Sequence, residues 1–230
     1  MAIRFSIIIP VLHEAPVIND LLEHLQKLTA AGESELLVVD GSPAKDTLGA
    51  IATGSVRCLS SPPGRARQMN AGAGAAAGEI LIFLHADTRL PVDALPLIGQ
   101  AMEEPACLGG AFDLAIDSPR FIYRLIAALA SLRSRFTCIP YGDQAIFLRR
   151  ETFRLLGGYP EIPIMEDVAL MQSLKKKGGR IRIIRRCVVT SPRRWEKEGL
   201  FYTTLRNWCL LIAYSRGVAP EKLARYYRNW

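Results

Sequence analysis

The sequence predicts an α/β protein whose central sheet is mostly parallel and flanked by helices. Three observations carry this. Short, continuous apolar runs rich in β-branched residues alternate with helical stretches through the first half of the chain. Half of the 230 residues are hydrophobic, enough for a sizeable core. No apolar run approaches the roughly 18 residues that a membrane-spanning helix requires.

The elements follow in order. Phe5–Val11 is a strand buried on both faces, and its position suits a strand better than a signal peptide. Pro16 and the spacing of Val17, Leu21, Leu22, Leu25 and Leu28 give an amphipathic helix. Glu35–Asp40 is a second buried strand, closed by the turn Gly41-Ser42-Pro43. Val56–Leu59 is a third strand, Gly64–Ala77 a helix and Glu79–Leu84 a fourth strand. Strands separated by helices imply βαβ units with right-handed crossovers. Ligands then bind beyond the carboxyl ends of the strands. His13, Glu14, Asp40, His85 and Asp87 should gather on that rim.

The second half is less regular. Leu95–Met102 reads as a helix, Gly109–Ile116 as a strand and Phe121–Leu132 as a strongly apolar helix. Tyr141–Leu148 passes from loop into strand, and Glu151–Leu156 is a short helix stopped by Gly157-Gly158. Val168–Lys177 is a helix with lysines in its last turn before Gly178-Gly179. Arg180–Val189 is a strand, and Leu200–Tyr214 and Pro220–Tyr227 are helices. With no repeat or linker tract, residues 1–230 read as one domain.

The formal net charge of +7 hides a split. Residues 1–118 carry 7 Lys/Arg against 14 Asp/Glu, whereas residues 119–230 carry 22 against 8. An acidic half joined to a basic half suggests a metal or hydroxyl-rich site beside an anion-binding region. No nucleic-acid-binding motif accompanies the basic residues, so a nucleic-acid partner is not expected. Five widely spaced cysteines without CxxC point away from disulfides and zinc and toward a reducing cytoplasm.

Gly72, Gly74 and Gly78 imitate a dinucleotide fingerprint in the wrong context, after a helix and before a strand. His85-Ala86-Asp87-Thr88 lies just beyond a buried strand, where a carboxylate either caps a turn or binds a hard divalent ion bridging two phosphates. Glu166-Asp167 opens a helix, where one carboxylate is a capping residue and the other a candidate general base.

Five segments in order resemble family 2 glycosyltransferases of the GT-A fold. They are SIIIPVLHE (Ser6–Glu14), LLVVDGSP (Leu36–Pro43), GRARQMNAG (Gly64–Gly72), ILIFLHADT (Ile80–Thr88), and Gly157-Gly158-Tyr159 with Met165-Glu166-Asp167. Tyr141-Gly142-Asp143-Gln144 resembles a turn of a small bacterial subgroup. The resemblance implies a nucleotide-sugar-binding half over 1–118 and an acceptor-side half over 119–230. It implies that Pro10, Glu14 and Asp40 lie at the nucleoside, with Asp40 accepting a hydrogen bond from the base. It places Arg65, Arg67 and Asn70 on the nucleotide side and gives Asp87 a metal, Mg²⁺ or Mn²⁺. Asp167, beside Glu166, takes the catalytic-base position, with Asp143 as its rival. His13 and His85 stand where the family has Asn and the first Asp of DxD. His85 is left as metal ligand, donor contact or filler. Ser191–Trp195 resembles the end of the QxxRW motif, so Arg193 or Arg194 is a candidate diphosphate contact.

The implied reaction is inverting sugar transfer from a nucleotide-diphosphate donor, UDP first, to a hydroxyl acceptor. A nucleotidyltransferase and a non-catalytic nucleotide-sugar binder are the alternatives. The helix Leu200–Tyr214 is apolar and followed by Arg216, Lys222, Arg225 and Arg228. It packs on the core, lies on an anionic membrane surface at the inner face, or forms a homodimer contact.

Overall fold

A computed structural model describes residues 3–29 and 32–228. The chain runs β1 (Phe5–Val11), α1 (Ala15–Leu28), β2 (Ser34–Asp40), α2 (Asp46–Ala50), β3 (Arg57–Ser60), α3 (Arg65–Ala75) and β4 (Ile80–Phe83). It continues through β5 (Thr88–Arg89), α4 (Ala94–Glu103), β6 (Cys107–Ile116), α5 (Phe121–Thr137), a 3₁₀ turn (Gly142–Gln144), β7 (Phe147–Arg149) and α6 (Arg150–Leu155). The last elements are α7 (Glu166–Lys176), β8 (Arg180–Thr190), α8 (Arg193–Glu198), α9 (Leu200–Ser215) and α10 (Pro220–Arg228).

The strands form one sheet in the order β3-β2-β1-β4-β7-β6-β8-β5. β3, β2, β1 and β4 are parallel, as the alternation of strands and helices requires. β7 lies antiparallel to both β4 and β6, and β5 antiparallel to β8. β6 and β8 are parallel again. The sheet is therefore mixed, with its parallel continuity broken where β7 enters.

Alternate side chains of β1 serve opposite faces of the sheet. Ile7, Ile9 and Val11 pack against Ile18, Leu21, Leu22 and Leu25 of α1 and against α4 and α5. Ile8, with Val39 and Phe83, packs against Ala66, Met69 and Ala73 of α3 and Leu170, Met171 and Leu174 of α7. The three-layer arrangement explains why β1, β2 and β4 read as continuous apolar runs. Gly78 abuts β1 so closely that an added Cβ would lie 2.6 Å from the Ser6 Oγ. Gly72 meets Ile8 in the same way. These glycines serve close helix–sheet packing.

A third, smaller cluster joins Ile164, Met165 and Val168 at the start of α7 to Leu210 of α9 and Leu223 of α10. It fixes the C-terminal helices beside the carboxyl ends of the strands. The helix α9 buries Thr203, Arg206 and Leu210, while Phe201 is 82% and Leu205 67% exposed. Most of the apolar stripe read from the sequence therefore faces outward. Among the described residues, no helix is long and apolar enough to cross a membrane.

Candidate active site

The loops after β4 and β8, the turn before β7, the starts of α3, α7 and α8, the middle of α9 and Tyr227 of α10 enclose one pocket. Its ionisable lining is Arg65, His85, Asp87, Asp143, Glu166, Asp167 and Arg194. Tyr141, Trp195 and Tyr227 supply aromatic walls. The cavity is about 130 Å³, below the several hundred Å³ of a pocket for a whole drug-sized ligand, so it suits one portion of a substrate.

Asp87 leaves β4 on the rim. Its Oδ2 accepts the Arg193 Nε–H at 3.1 Å, and the Thr88 hydroxyl reaches Oδ1 at 3.5 Å. The same guanidinium donates to both oxygens of Glu14, at 2.7 and 2.6 Å. Glu14, from the start of α1, and Asp87 are thus bridged by one arginine. His85 is pushed down to about 4 by burial, then by nearby Arg65, so it stands as neutral imidazole near neutral pH. A carboxylate and a neutral imidazole fit a divalent ion whose remaining ligands are substrate oxygens. No group of three or more His, Cys, Asp or Glu side chains forms a metal cage among the described residues.

Carboxylates from the turn before β7 and the start of α7 complete the lining. The Asp167 Oδ2 accepts the Gly142 N–H at 2.7 Å and its Oδ1 the Val168 N–H at 2.7 Å. These bonds tie the turn holding Asp143 to the start of α7. Asp143 is raised to about 6, first by burial and then by the Asp167 charge, with Arg133 opposing. Glu166 is buried and pairs with the Arg65 Nε at 2.8 Å. Burial raises its carboxyl, and Arg65 opposes the rise. Met165 precedes it at φ 68°, a left-handed conformation strained for a non-glycine residue.

Several expected positions lie elsewhere. Asp40 is 0% exposed, and its oxygens accept the Ser42 N–H at 2.7 Å and the Leu48 N–H at 3.4 Å. It closes β2 at the carboxyl end of the strand, shapes the turn that follows, and is absent from this pocket's lining. Pro10 lies within β1, paired with Val39. Arg67 pairs with Glu161 at 2.9 Å, away from the pocket. Asn70 is committed to Tyr159, donating to its carbonyl at 2.9 Å and accepting its N–H at 2.8 Å. Neither Arg67 nor Asn70 is in this pocket's lining. His13 faces Asp46 at 3.0 Å. Arg194 lines the pocket and bonds the Tyr227 hydroxyl.

Sequence reasoning missed Ile164, Thr190, Asn207, Leu210 and Tyr227, all of which line the pocket. No local pattern marks Asn207, Leu210 and Tyr227, because tertiary packing brings α9 and α10 back over the site, while Ile164 precedes α7 and Thr190 ends β8.

Residues 6–157 match the model of glycosyl transferase family 2, and the chain belongs to that family. No curated protein matches it. Among solved structures, residues 1–349 of TarS from S. aureus superpose with a TM-score of 0.64 at 18% identity, covering 92% of this chain and 66% of that one. The same protein in complex with UDP-GlcNAc gives 0.63 at 18%, covering 82% and 58%. The mannosyltransferase PcManGT from Pyrobaculum calidifontis, in complex with GDP-Man and Mn²⁺, gives 0.68 at 22%, covering 96% and 67%. The chain thus spans about three-fifths to two-thirds of these solved chains, and 40% of a longer TarS chain. At these identities the likeness establishes a shared fold, that of GT-A glycosyltransferases.

Proposed function

We propose that the protein transfers a sugar from a nucleotide-diphosphate donor to a hydroxyl acceptor, with inversion. The observation that carries this reading is the gathering of Asp87, His85, Asp143 and Asp167 in the lining of one pocket, together with Arg65 and Arg194. A departing nucleoside diphosphate needs its charge neutralised, and an attacking hydroxyl needs its proton removed. Asp87 and His85 would hold Mg²⁺ or Mn²⁺, which neutralises diphosphate charge when bound. Arg194 reaches the same oxygens from α8. Asp167 takes the acceptor proton, and inversion follows from one displacement. Family membership and the nucleotide-sugar complexes of the structural relatives support a sugar-nucleotide donor. UDP is the first candidate. Residues 1–118 form the donor side and residues 119–230 the acceptor side. The His-Ala-Asp and Tyr-Gly-Asp-Gln segments mark this chain as part of a distinct small subgroup.

Asp143 tunes the pocket. Near pH 6 it changes charge, and its ionised form favours proton uptake nearby. Activity is therefore expected to fall as pH drops below about 6. Asp143→Asn, measured in the same pH–rate profile, should lose that step while keeping turnover within about tenfold of wild type.

The acceptor side suggests a peripheral membrane position. The apolar stripe of α9 is open, and α5 carries Phe121 (75% exposed) and Phe136 (80%) within a half-chain rich in arginine and lysine. Basic residues near an anionic surface contribute about 1 kcal/mol each. Co-sedimentation with anionic vesicles is expected at low salt and should weaken as salt rises. Absence of binding at low salt, with a mass that rises with concentration in ultracentrifugation, would assign the stripe to a homodimer instead.

The donor reading is tested by a thermal-shift screen with UDP, GDP, dTDP and their sugars, each with and without Mn²⁺. A ligand that binds only the folded state raises the melting temperature. No shift with any of them would refute the donor assignment.

A further inference from the structure

We propose that the Arg193 guanidinium holds the cation position at Asp87, and that a divalent ion binds there by displacing it. The inference rests on the reading that Asp87 carries the ion, and adds what competes with it. Three nitrogens of one side chain are engaged: Nη1 and Nη2 on Glu14 at 2.7 and 2.6 Å, and Nε on Asp87 at 3.1 Å. A guanidinium fork suits such carboxylates, and each bond is charge-assisted. The arginine therefore occupies Oδ2 of Asp87 and places its positive charge beside the position an ion at Asp87 would take, and a diphosphate arriving there meets a guanidinium already spent on carboxylates.

The consequence reaches the pocket wall. Arg193 is the first residue of α8, a short helix with no fully buried side chain, whose Trp195 packs part-buried on the core. The chain entering it docks through the Ser191 N–H on the Asp87 carbonyl at 3.0 Å, and the Arg193 N–H meets the Ser191 hydroxyl at 3.2 Å. Beyond the clamp, Trp195 rests edge-on against Tyr123 with ring centroids 6.2 Å apart. Further along, Arg194 bonds the Tyr227 hydroxyl and Glu198 pairs with Arg206 at 2.6 Å, so losing the Arg193 clamp frees the first turn of α8 rather than the whole helix. α8 also carries Arg194 and Trp195, both in the pocket lining. Ion binding at Asp87 thus loosens the wall facing the substrate and frees a cation for the diphosphate. Ion and wall are coupled through one side chain, and by linkage anything that pulls α8 away must tighten ion binding.

The experiment titrates Mn²⁺, alone and with saturating UDP, into wild type and Arg193→Gln by calorimetry. Hydrogen exchange across residues 193–198 is followed in parallel. The side chain is 45% exposed, so the variant keeps its core. The expected result is Mn²⁺ binding roughly tenfold or more tighter in the variant, equivalent to one lost competing interaction of about 1.4 kcal/mol. Mn²⁺ should speed exchange in α8 of the wild type and leave the already fast exchange of the variant unchanged. Equal Mn²⁺ affinities, or a tightening with no change in wild-type exchange, overturn the displacement while leaving the ion at Asp87. Absence of Mn²⁺ binding in both proteins, with and without UDP, refutes the ion site itself and the displacement with it.

Discussion

Replacing Asp167 by asparagine is expected to lower turnover by about two to four orders of magnitude, the range for losing general-base assistance, with nucleotide binding close to wild type. The prediction is sharp because of the way the carboxylate is held. Each of its oxygens accepts one backbone N–H, from Gly142 and from Val168. Asparagine keeps one acceptor oxygen and gives up the other bond, so a modest stability loss of about 1 kcal/mol accompanies the substitution. Thermal melting separates that loss from catalysis. A stable, folded variant with turnover near wild type, beside a collapse in Asp143→Asn, would move the base to Asp143.

Asp87→Ala is expected to weaken Mn²⁺-supported binding of a nucleoside diphosphate by about 100-fold or more. Removing a ligand should cost at least as much as the 10- to 100-fold typical of losing an outer-shell partner. Calorimetry with UDP and Mn²⁺ reads this directly. Unchanged affinity would refute the ion assignment. The substitution leaves Arg193 its two bonds to Glu14, so the fold around α1 and α8 should persist.

How much of this was legible in the sequence varies along the chain. β1 falls where expected, from Phe5 to Val11, because both of its faces are buried and the apolar run has no gap. The helices α1, α4 and α7 carry their own periodicity and stops. α2, β5 and α8 were not anticipated. β5 has two residues and exists through pairing with Thr190 and Val189, roughly a hundred positions away. α8 packs only Trp195 part-buried on the core and so leaves no apolar periodicity. The antiparallel insertion of β7 is a tertiary choice that a local apolar run does not encode.

The site divides in the same way. Residues that follow a strand or open a helix, namely Glu14, His85, Asp87, Glu166 and Asp167, are findable by position. Asp87 and His85 line the same pocket as Asp167. Asp40 follows the same positional rule, yet its carboxylate turns inward to satisfy two backbone amides. Asn70 likewise looks like a nucleotide contact and instead clamps Tyr159. Short polar side chains near turns serve backbone donors as readily as ligands, and only the fold distinguishes the two uses. Tyr227 lies 140 residues from Asp87, and its place in the pocket follows from the packing of α10 on α9 and the start of α7.

The central claim is that this pocket breaks the bond between a sugar and a nucleoside diphosphate. It is tested most directly by ³¹P NMR of the protein with UDP-sugars and GDP-sugars and Mn²⁺, with water as the default acceptor. The account predicts slow appearance of the nucleoside diphosphate, with no pyrophosphate and no nucleoside monophosphate, and loss of that signal in Asp87→Ala. Pyrophosphate-dependent formation of nucleoside triphosphate from the sugar nucleotide would instead identify a nucleotidyltransferase and contradict it.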